Sequence, residues 1–399
     1  MSTAELYWRA RRGAALGLKG VENIAFDWPS VIARKDRLVE SWSKGKEEGL
    51  DKLGIAVIRG RARFVGEREI EVDGTRRAAE KIIIATGSRP ARPSFPGAER
   101  GIVSDELIHL KTQPARLVVI GGGFIGLEFG FTLARAGSKV TILQAGPEIA
   151  PALDGDIRAE LLKIAADAGI AVRTNAKVIK IAEDKTVEAE IESKAERFAA
   201  DQVLLATGRP ATVADLEPQN AGIELDHGFV KVSEFLQSVT NPRVYAAGDA
   251  AGKHQHTPVA WYEGKVAAHN AVKGNEKKTD FSVFPSAVFT IPAIGQVGLT
   301  EKEARARGHQ VKAGRTPFTS NPAAGVRNET EGLVKVVYDA GSDKILGAHA
   351  IGADAEDIIQ IAAAAMLGGI KKSQLGSAHY VFPTLGGAIF DAMAAEDES

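Results

Sequence analysis

Cysteine is absent from all 399 residues. Its absence excludes disulfides, thiolate metal sites and thiol nucleophiles from the chain, and no metal site is expected. Long apolar runs are missing too: nothing approaches the roughly 18 uncharged residues of a membrane span. The opening MSTAELYWRARRGAALGLKG has no unbroken apolar core, so it does not read as a secretory signal, and the cytoplasm is the expected location. Nor is there an excess of either charge. With 50 basic against 51 acidic residues the formal net charge is −1, which draws in neither nucleic acid nor an anionic membrane surface. Arg9, Arg11 and Arg12 form a small basic cluster that reads as a solvated helix face.

What is present is ordinary globular composition, 44% apolar and 25% charged, in a chain long enough for two or three domains. Residues 4–19 predict a helix with Leu6, Ala10, Ala14 and Leu18 on one side; residues 31–53 predict a longer one carrying Leu38, Trp42 and Leu50. Strand-like runs follow at IAVIRGRARFV (55–65), EIEVDG (69–74) and KIIIATGS (81–88), with Asp73-Gly74 as a hairpin turn. The proline-rich SRPARPSFPGAERG (88–101) predicts a domain connection.

From 116 to 208 the strands RLVVI, KVTIL and AVRT alternate with helices at 124–136 and 154–168, the pattern of βαβ units on a parallel sheet. AKVIKIAED and TVEAEIES are polar β-like segments, and DQVLLATGRP (201–210) closes the region. NPRVYAAGDAAG (241–252) precedes a predicted helix at 259–272. Beyond 284, SAVFTIPAIGQVGLT, GLVKVVYDA and KILGAHAIG predict antiparallel strands, followed by the apolar helix at 356–369, an α+β unit. IIIATGS and VLLATGR are near copies about 120 residues apart, each ending a strand in Ala-Thr-Gly.

The clearest chemistry lies in RLVVIGGGFIGLEFGFTLARAGSKVTILQ, where Gly121, Gly123 and Gly126 fit the dinucleotide fingerprint between a strand and a helix. Gly121 permits the tight turn, Gly123 lets the backbone approach a pyrophosphate, and Gly126 lets the helix pack on the strand. The amides of Gly123, Phe124, Ile125 and Gly126, aided by the helix dipole, would attract the phosphates. Gln144 ends the second strand 23 residues after the first glycine. An acid there binds the ribose of NAD, whereas nearby arginines meet the phosphate of NADP. Glutamine can serve either, and Glu148 close by favours NADH.

With the glycine motif, IIIATGSRP, VLLATGRP and VYAAGDAAG in that order, the chain resembles the class I pyridine nucleotide–disulfide oxidoreductases, which include dihydrolipoamide dehydrogenase, glutathione reductase and mercuric reductase. FPSAVFTIPAIGQVGLTEKEA (284–304) is similar to the start of that family's dimerisation domain. The resemblance implies an α/β fold. Two Rossmann-like nucleotide-binding domains, the first incomplete, would precede a C-terminal α+β dimerisation domain. The implied boundaries are 1–95 with 211–283 for the FAD-type domain, 96–210 for the NAD(P)-binding domain and 284–399 for dimerisation. It implies FAD and NAD(P)H as cofactors, a homodimer, and a small-molecule electron acceptor.

Position by position, Gly248 and Asp249 match the Gly-Asp whose acid holds the FAD ribityl chain. Pro258, Val259 and Ala260 match the start of the helix beneath the flavin, where amides stabilise negative charge. Thr86 and Gly87 match a turn near FAD, and Gly208 matches the edge of the nicotinamide site. Glu128 matches the catalytic-site acid that pairs with a lysine behind the flavin.

The departures are equally specific. No strand–GxGxxG–helix unit precedes residue 116, and the C-x4-C redox pair is missing. The chain therefore resembles a family member without roughly its first 40–50 residues, one strand–turn–helix unit plus the cysteine segment. Near the C-terminus the family's His-Pro-Thr and following Glu become Phe382 and Gly387; neither can act as or orient a base. His379 lies off that register and reads first as a surface histidine. The expected activity is hydride transfer from NAD(P)H through flavin to an acceptor other than a disulfide. Two other readings stay open: a fragment of a complete dihydrolipoamide dehydrogenase- or mercuric reductase-like enzyme, and a non-catalytic nucleotide-binding dimeric scaffold.

Overall fold

A computed structural model describes residues 1–252 and 254–395. The chain divides into two compact units. Met1–Ile32, Arg92–Thr207 and Ser282–Ser399 form the first; Ala33–Ala91 and Gly208–Phe281 form the second.

The first unit holds a four-stranded parallel sheet ordered Gln202–Leu205, Arg116–Ile120, Lys139–Leu143, Ala171–Arg173. The helices Phe124–Arg135 and Gly155–Asp167 make the crossovers. A parallel strand buried on both faces must be apolar at successive positions, and RLVVI is. Leu117 and Val119 point to the helices, meeting Leu127, Phe131, Ile157 and Leu161. Val118 and Ile120 point the other way, onto Val187, Ala189 and Ile191. Those residues belong to an antiparallel meander of Lys177–Ile181, Val187–Ile191 and Lys194–Phe198. Its third strand, KAERF, is too charged to be read from pattern. Truncating a fully buried residue such as Phe131 to alanine would cost about 3–5 kcal/mol.

The same unit contains a five-stranded antiparallel sheet ordered Ser286–Val288, Ala293–Gly298, Ile345–Gly352, Leu333–Asp339, Val311–Pro317. Helices Ala355–Leu367 and Gly387–Ala394 cover it through Ile358, Ile359, Ile389 and Met393. Strand Val311–Pro317 escaped the sequence reading because its inward residues are small. A side chain at Gly314 would strike the Ala392 carbonyl, its Cβ lying 1.9 Å away.

The N-terminal helix is Ser2–Arg11, followed by a 3-10 turn Arg12–Leu16, not one helix over 4–19. The solvated face holds for Arg11, which is exposed, but is corrected for Arg12. Leu6 is 67% exposed, whereas Arg12 donates to Glu331 at 2.9 Å and to the Asn328 carbonyl. The guanidiniums of Arg12 and Arg135 lie over Trp8 at 4.6 and 4.5 Å. Stacking on an indole and pairing with glutamate hold Arg12 in, outweighing the small gain from burying one leucine.

The second unit carries most of helix Trp28–Lys52 and an antiparallel sheet of Ala62–Gly66, Glu69–Val72 and Thr75–Ala78. Asp73 and Gly74 have φ 46° and 84°, the left-handed pair of a two-residue hairpin turn. The expected strand over 55–65 begins only at Ala62; Ile55, Val57 and Ile58 are all exposed. Among the described residues no second strand pairs with them, so their β propensity is unused. Ile82–Ile84 and Val244–Ala246 form a parallel pair of two strands, with helix Thr257–Lys273 packed against it. Phe64, Ile84, Val213, Val230 and Val244 make its core.

Candidate nucleotide-binding site

Strand Arg116–Ile120 ends in a turn that only glycine can make. Gly121 has φ +114°, and a Cβ there would sit 2.2 Å from the Ala206 carbonyl oxygen. A Cβ on Gly126 would sit 2.0 Å from the Gly121 oxygen, so the helix can approach its strand only without a side chain there. Gly123 is different: its backbone is extended, with φ −79°, and nothing lies within 4 Å of its Cβ position. The space above it is open. Among the described residues, no side chain caps the Phe124–Arg135 helix that it starts. The first N–H groups of such a helix have no intrahelical acceptor, and an anion is their natural partner. This cradle fits a dinucleotide pyrophosphate.

Gln144 comes to the same loop. Its Oε1 accepts the Gly122 N–H at 2.9 Å, so its acceptor atom faces the glycines and its amino group remains as donor. Glu148 is held by Arg158 at 2.8 Å, which offsets its charge. Two residues beyond Gly126, half-buried Glu128 accepts the Phe289 N–H at 3.0 Å. Burial pushes the Glu128 carboxyl up despite that bond.

In the second unit the turns at the ends of the two Ala-Thr-Gly repeats meet. Thr212 N–H donates to the Gly87 carbonyl and Ala91 N–H to the Gly208 carbonyl, each at 2.9 Å. Thr86 is exposed beside them. Ser88 donates its hydroxyl to Asp249 at 2.5 Å, and Arg209 donates to the Ser88 Oγ at 2.9 Å. Gly248, at φ +66°, packs on the Thr257–Lys273 helix, where its Cβ would come 2.9 Å from that of Ala260. Its N–H donates to the fully buried Glu263 at 2.7 Å. Pro258 is exposed at that helix start and Val259 is buried, so Val259 can offer a ligand only its backbone. Among the described residues, no side-chain cap bond is made at this helix start either. Burial, with His254 beside it, holds the His256 imidazole below its ordinary range.

An acid tied to a strand end beside an uncapped helix fits the ribityl and ring end of a flavin. A second glycine fingerprint for the FAD pyrophosphate is not found in the sequence. Ser88, Arg209 and Glu263 were missed from sequence. The first two directly follow the Ala-Thr-Gly repeats, a signal that was there to be read.

The sequence profile of the pyridine nucleotide-disulphide oxidoreductases matches residues 12–264, and that of their dimerisation domain matches 284–393. The chain belongs to the pyridine nucleotide-disulphide oxidoreductase family. Relatives include a mercuric reductase of Bacillus cereus, 35% identical over 353 residues, covering 87% of this chain and 56% of that protein. A dihydrolipoyl dehydrogenase of Thermus scotoductus is 36% identical, covering 99% of this chain and 86% of the relative. The chain thus spans less than two thirds of the mercuric reductases it matches, 56% and 65% of two of them. The HOCl-induced flavoprotein disulfide reductase RclA of Escherichia coli superposes with TM-score 0.85 at 29% identity, covering 98% of this chain and 89% of RclA.

The segment expected to carry the base holds Phe382 and Gly387 instead. Phe382 is 68% exposed, and the Phe382–Pro383 peptide is cis. A Cβ on Gly387 would lie 2.9 Å from the Tyr380 ring, which stacks on Phe390 and donates its hydroxyl to Asp391 at 3.0 Å. Tyr380 thus fills the space that a side chain at 387 would need. His379 is exposed. Among the described residues no helix is long and apolar enough to cross a membrane.

Proposed function

We propose that this chain is an NAD(P)H-dependent flavin oxidoreductase that passes electrons to a small-molecule acceptor without disulfide exchange. The uncapped helix start at Gly123, with open space above it, carries the reading. In this reading the amides from Gly123 to Gly126 bind the coenzyme pyrophosphate, and Gly121 and Gly126 hold the loop close to its strand. Gln144 orients the loop through Gly122 and donates to the adenosine ribose. Asp249, fixed by Ser88, accepts from the ribityl hydroxyls, while the helix start at Pro258–Ala260 stabilises negative charge above it. Thr86, Gly87 and Gly208 shape the turns around these groups. Glu128, with its raised carboxyl, holds a proton at its free oxygen over a wider pH range than an exposed glutamate. When bound, FAD supplies the hydride acceptor and delivers electrons onward.

The division into an FAD-type region (1–95 and 211–283), an NAD(P)-binding region (96–210) and a dimerisation region (284–399) belongs to the same proposal. So does the homodimer, supported by the dimerisation-domain match. With no cysteine in the chain, and with Phe382 and Gly387 at the position of the family's base, thiol chemistry has no carrier among these residues. Dyes, quinones, metal ions or oxygen fit as acceptors.

The two-stranded parallel pair favours a second reading, a nucleotide-binding protein without flavin. Colour and calorimetry discriminate. Yellow protein that takes up NADH supports the first reading; colourless protein that takes up NADH supports the second. Folded protein giving no heat with NADH or NADPH refutes both.

A further inference from the structure

Lys335 lies on strand Leu333–Asp339 with its side chain 2% exposed. Its ammonium meets three carboxylates: Asp154 at 2.8 Å, Asp156 at 2.9 Å and Glu301 at 2.7 Å. A buried ammonium is tolerated only when paired and hydrogen-bonded on every side, and here all three protons have acceptors. Arg315 bonds Asp156 at 2.8 Å and Glu301 at 3.1 Å, and Arg305 bonds Glu301 at 2.7 Å, so three cations balance three anions.

Asp154 is the link to the coenzyme loop. It caps the Gly155–Asp167 helix by accepting the Asp156 N–H, and its second oxygen accepts the Glu301 N–H at 3.0 Å. Just before it, Leu153 N–H donates to the Ala150 carbonyl, and Ala150 N–H donates to the Gly122 carbonyl, both at 2.9 Å. Ala150 sits at φ +38°, a left-handed position that an alanine adopts only when its surroundings impose it. Ile149, fully buried, packs against Gly122 itself. A path therefore runs from Lys335 by hydrogen bond to Asp154, along the peptide bond to Leu153, and by two backbone hydrogen bonds through Ala150 to Gly122 in the glycine loop.

We propose that Lys335 is a positioning residue for the coenzyme: by fixing Asp154 it holds residues 149–153 against Gly122 and keeps the glycine loop in its binding form. The inference rests on the coenzyme reading of Gly121–Gly126 and goes beyond it. It makes a strand of the antiparallel sheet, far from the fingerprint in sequence, responsible for dinucleotide affinity.

The test is calorimetric titration of NADH into the full chain as wild type, Lys335→Met and Glu301→Gln. It is paired with circular dichroism and amide hydrogen exchange at Ala150. Lys335→Met weakens NADH about tenfold, within the range of coupling effects, and speeds Ala150 exchange by more than it speeds the protected amides of the five-stranded sheet. A purely structural role would lower the melting temperature and leave the affinity of the folded protein alone. Should Lys335→Met fail to fold, Glu301→Gln decides. Its acid is partly exposed, and an about threefold loss with faster Ala150 exchange is expected. Folded variants that bind NADH within twofold of wild type, with unaltered Ala150 exchange, overturn the proposal. A wild-type chain that takes up no NADH sinks the coenzyme reading instead, and Ala150 exchange still decides whether Lys335 holds the loop.

Discussion

Gln144 turns its Oε1 onto the glycine loop and accepts the Gly122 N–H at 2.9 Å. An amide bound this way turns its oxygen toward the loop and leaves its amino group as the donor for a ribose. Donors suit a 2′-hydroxyl and a 2′-phosphate about equally, and Glu148 is engaged with Arg158. Gln144→Glu keeps the bond to Gly122 through one oxygen and aims a second, charged acceptor outward. The ratio of NADH to NADPH affinity should then rise about tenfold, the effect of roughly 1.4 kcal/mol. Titration of both coenzymes checks this; an unchanged ratio removes Gln144 from the ribose site.

The three fingerprint glycines should fail differently. Gly121→Ala and Gly126→Ala drive a methyl into backbone oxygens about 2 Å away, at 2.2 and 2.0 Å. Backbone must shift, at about 1–3 kcal/mol, and at Gly121 the positive φ adds about 1–2 kcal/mol. Both variants should melt lower. Gly123→Ala meets nothing within 4 Å and keeps an ordinary φ, so its melting temperature should match wild type. Its methyl nevertheless occupies the space proposed for the pyrophosphate, and NADH affinity should fall. Thermal melts and calorimetry on the three variants separate folding from binding. Full NADH affinity in Gly123→Ala would falsify the pyrophosphate assignment.

The parallel sheet was legible because its physics is local. A doubly buried strand must be apolar throughout, and the Gly121–Gly126 spacing follows from one tight turn and one close helix. The Ser88–Asp249–Arg209 cluster was half legible: the repeated Ala-Thr-Gly marked the turns, but not that they meet. The 55–61 segment misled because β propensity needs a neighbouring strand to pair with, and Ile55, Val57 and Ile58 face solvent. Arg12 and Lys335 were illegible for a common reason. A cation in sequence reads as solvated unless its partners are known, and Lys335 pairs with an acid 181 positions away.

Glu128 is the candidate acid whose titration the site alters. Burial, opposed by the Phe289 N–H, raises its carboxyl above the ordinary 4.5. A carboxyl raised on folding stabilises the fold most below that ordinary value, and the contribution fades as the pH climbs through the raised one. Glu128→Gln keeps an acceptor for Phe289 and removes the buried charge. At neutral pH the variant should be more stable than wild type by about 1 kcal/mol, the lower end of what an incompletely paired buried polar group costs. The difference should vanish in acid. Chemical denaturation at both pH values measures it; a variant less stable at neutral pH would mean that the ionised form is the one the fold favours.

The Lys335 network should set the acid limit of the first unit. Burial opposes ionisation of Asp154, yet His349 and Lys335 outweigh it and hold the carboxyl below the ordinary 3.8. Asp156, with Lys335 and Arg315, and Glu301, with Lys335 and Arg305, are depressed against the same opposition. Burial would lower the Lys335 ammonium, but its three carboxylates raise it above 10.5. Depressed acids stabilise fully above their unfolded values and lose that contribution as the pH falls through the folded ones. The raised lysine contributes fully below its unfolded value and loses its share as the pH climbs through the folded one. Stability from the three acids and the lysine is therefore flat between about pH 5 and about pH 10, declining on both sides, while buried His349, held below its ordinary 6.5, adds a loss that sets in as the pH falls below that value. Asp154→Asn retains the shape but cannot ionise, so its melting temperature should start lower at neutral pH and fall less steeply on acidification. Breaking one partner of a buried pair costs about 3–5 kcal/mol at most, and here Asp156 and Glu301 remain to share the ammonium, so a smaller loss is expected. Melting curves of both proteins from about pH 6 down to about pH 3 give the two slopes. Parallel slopes would show that Asp154 does not carry the acid limb.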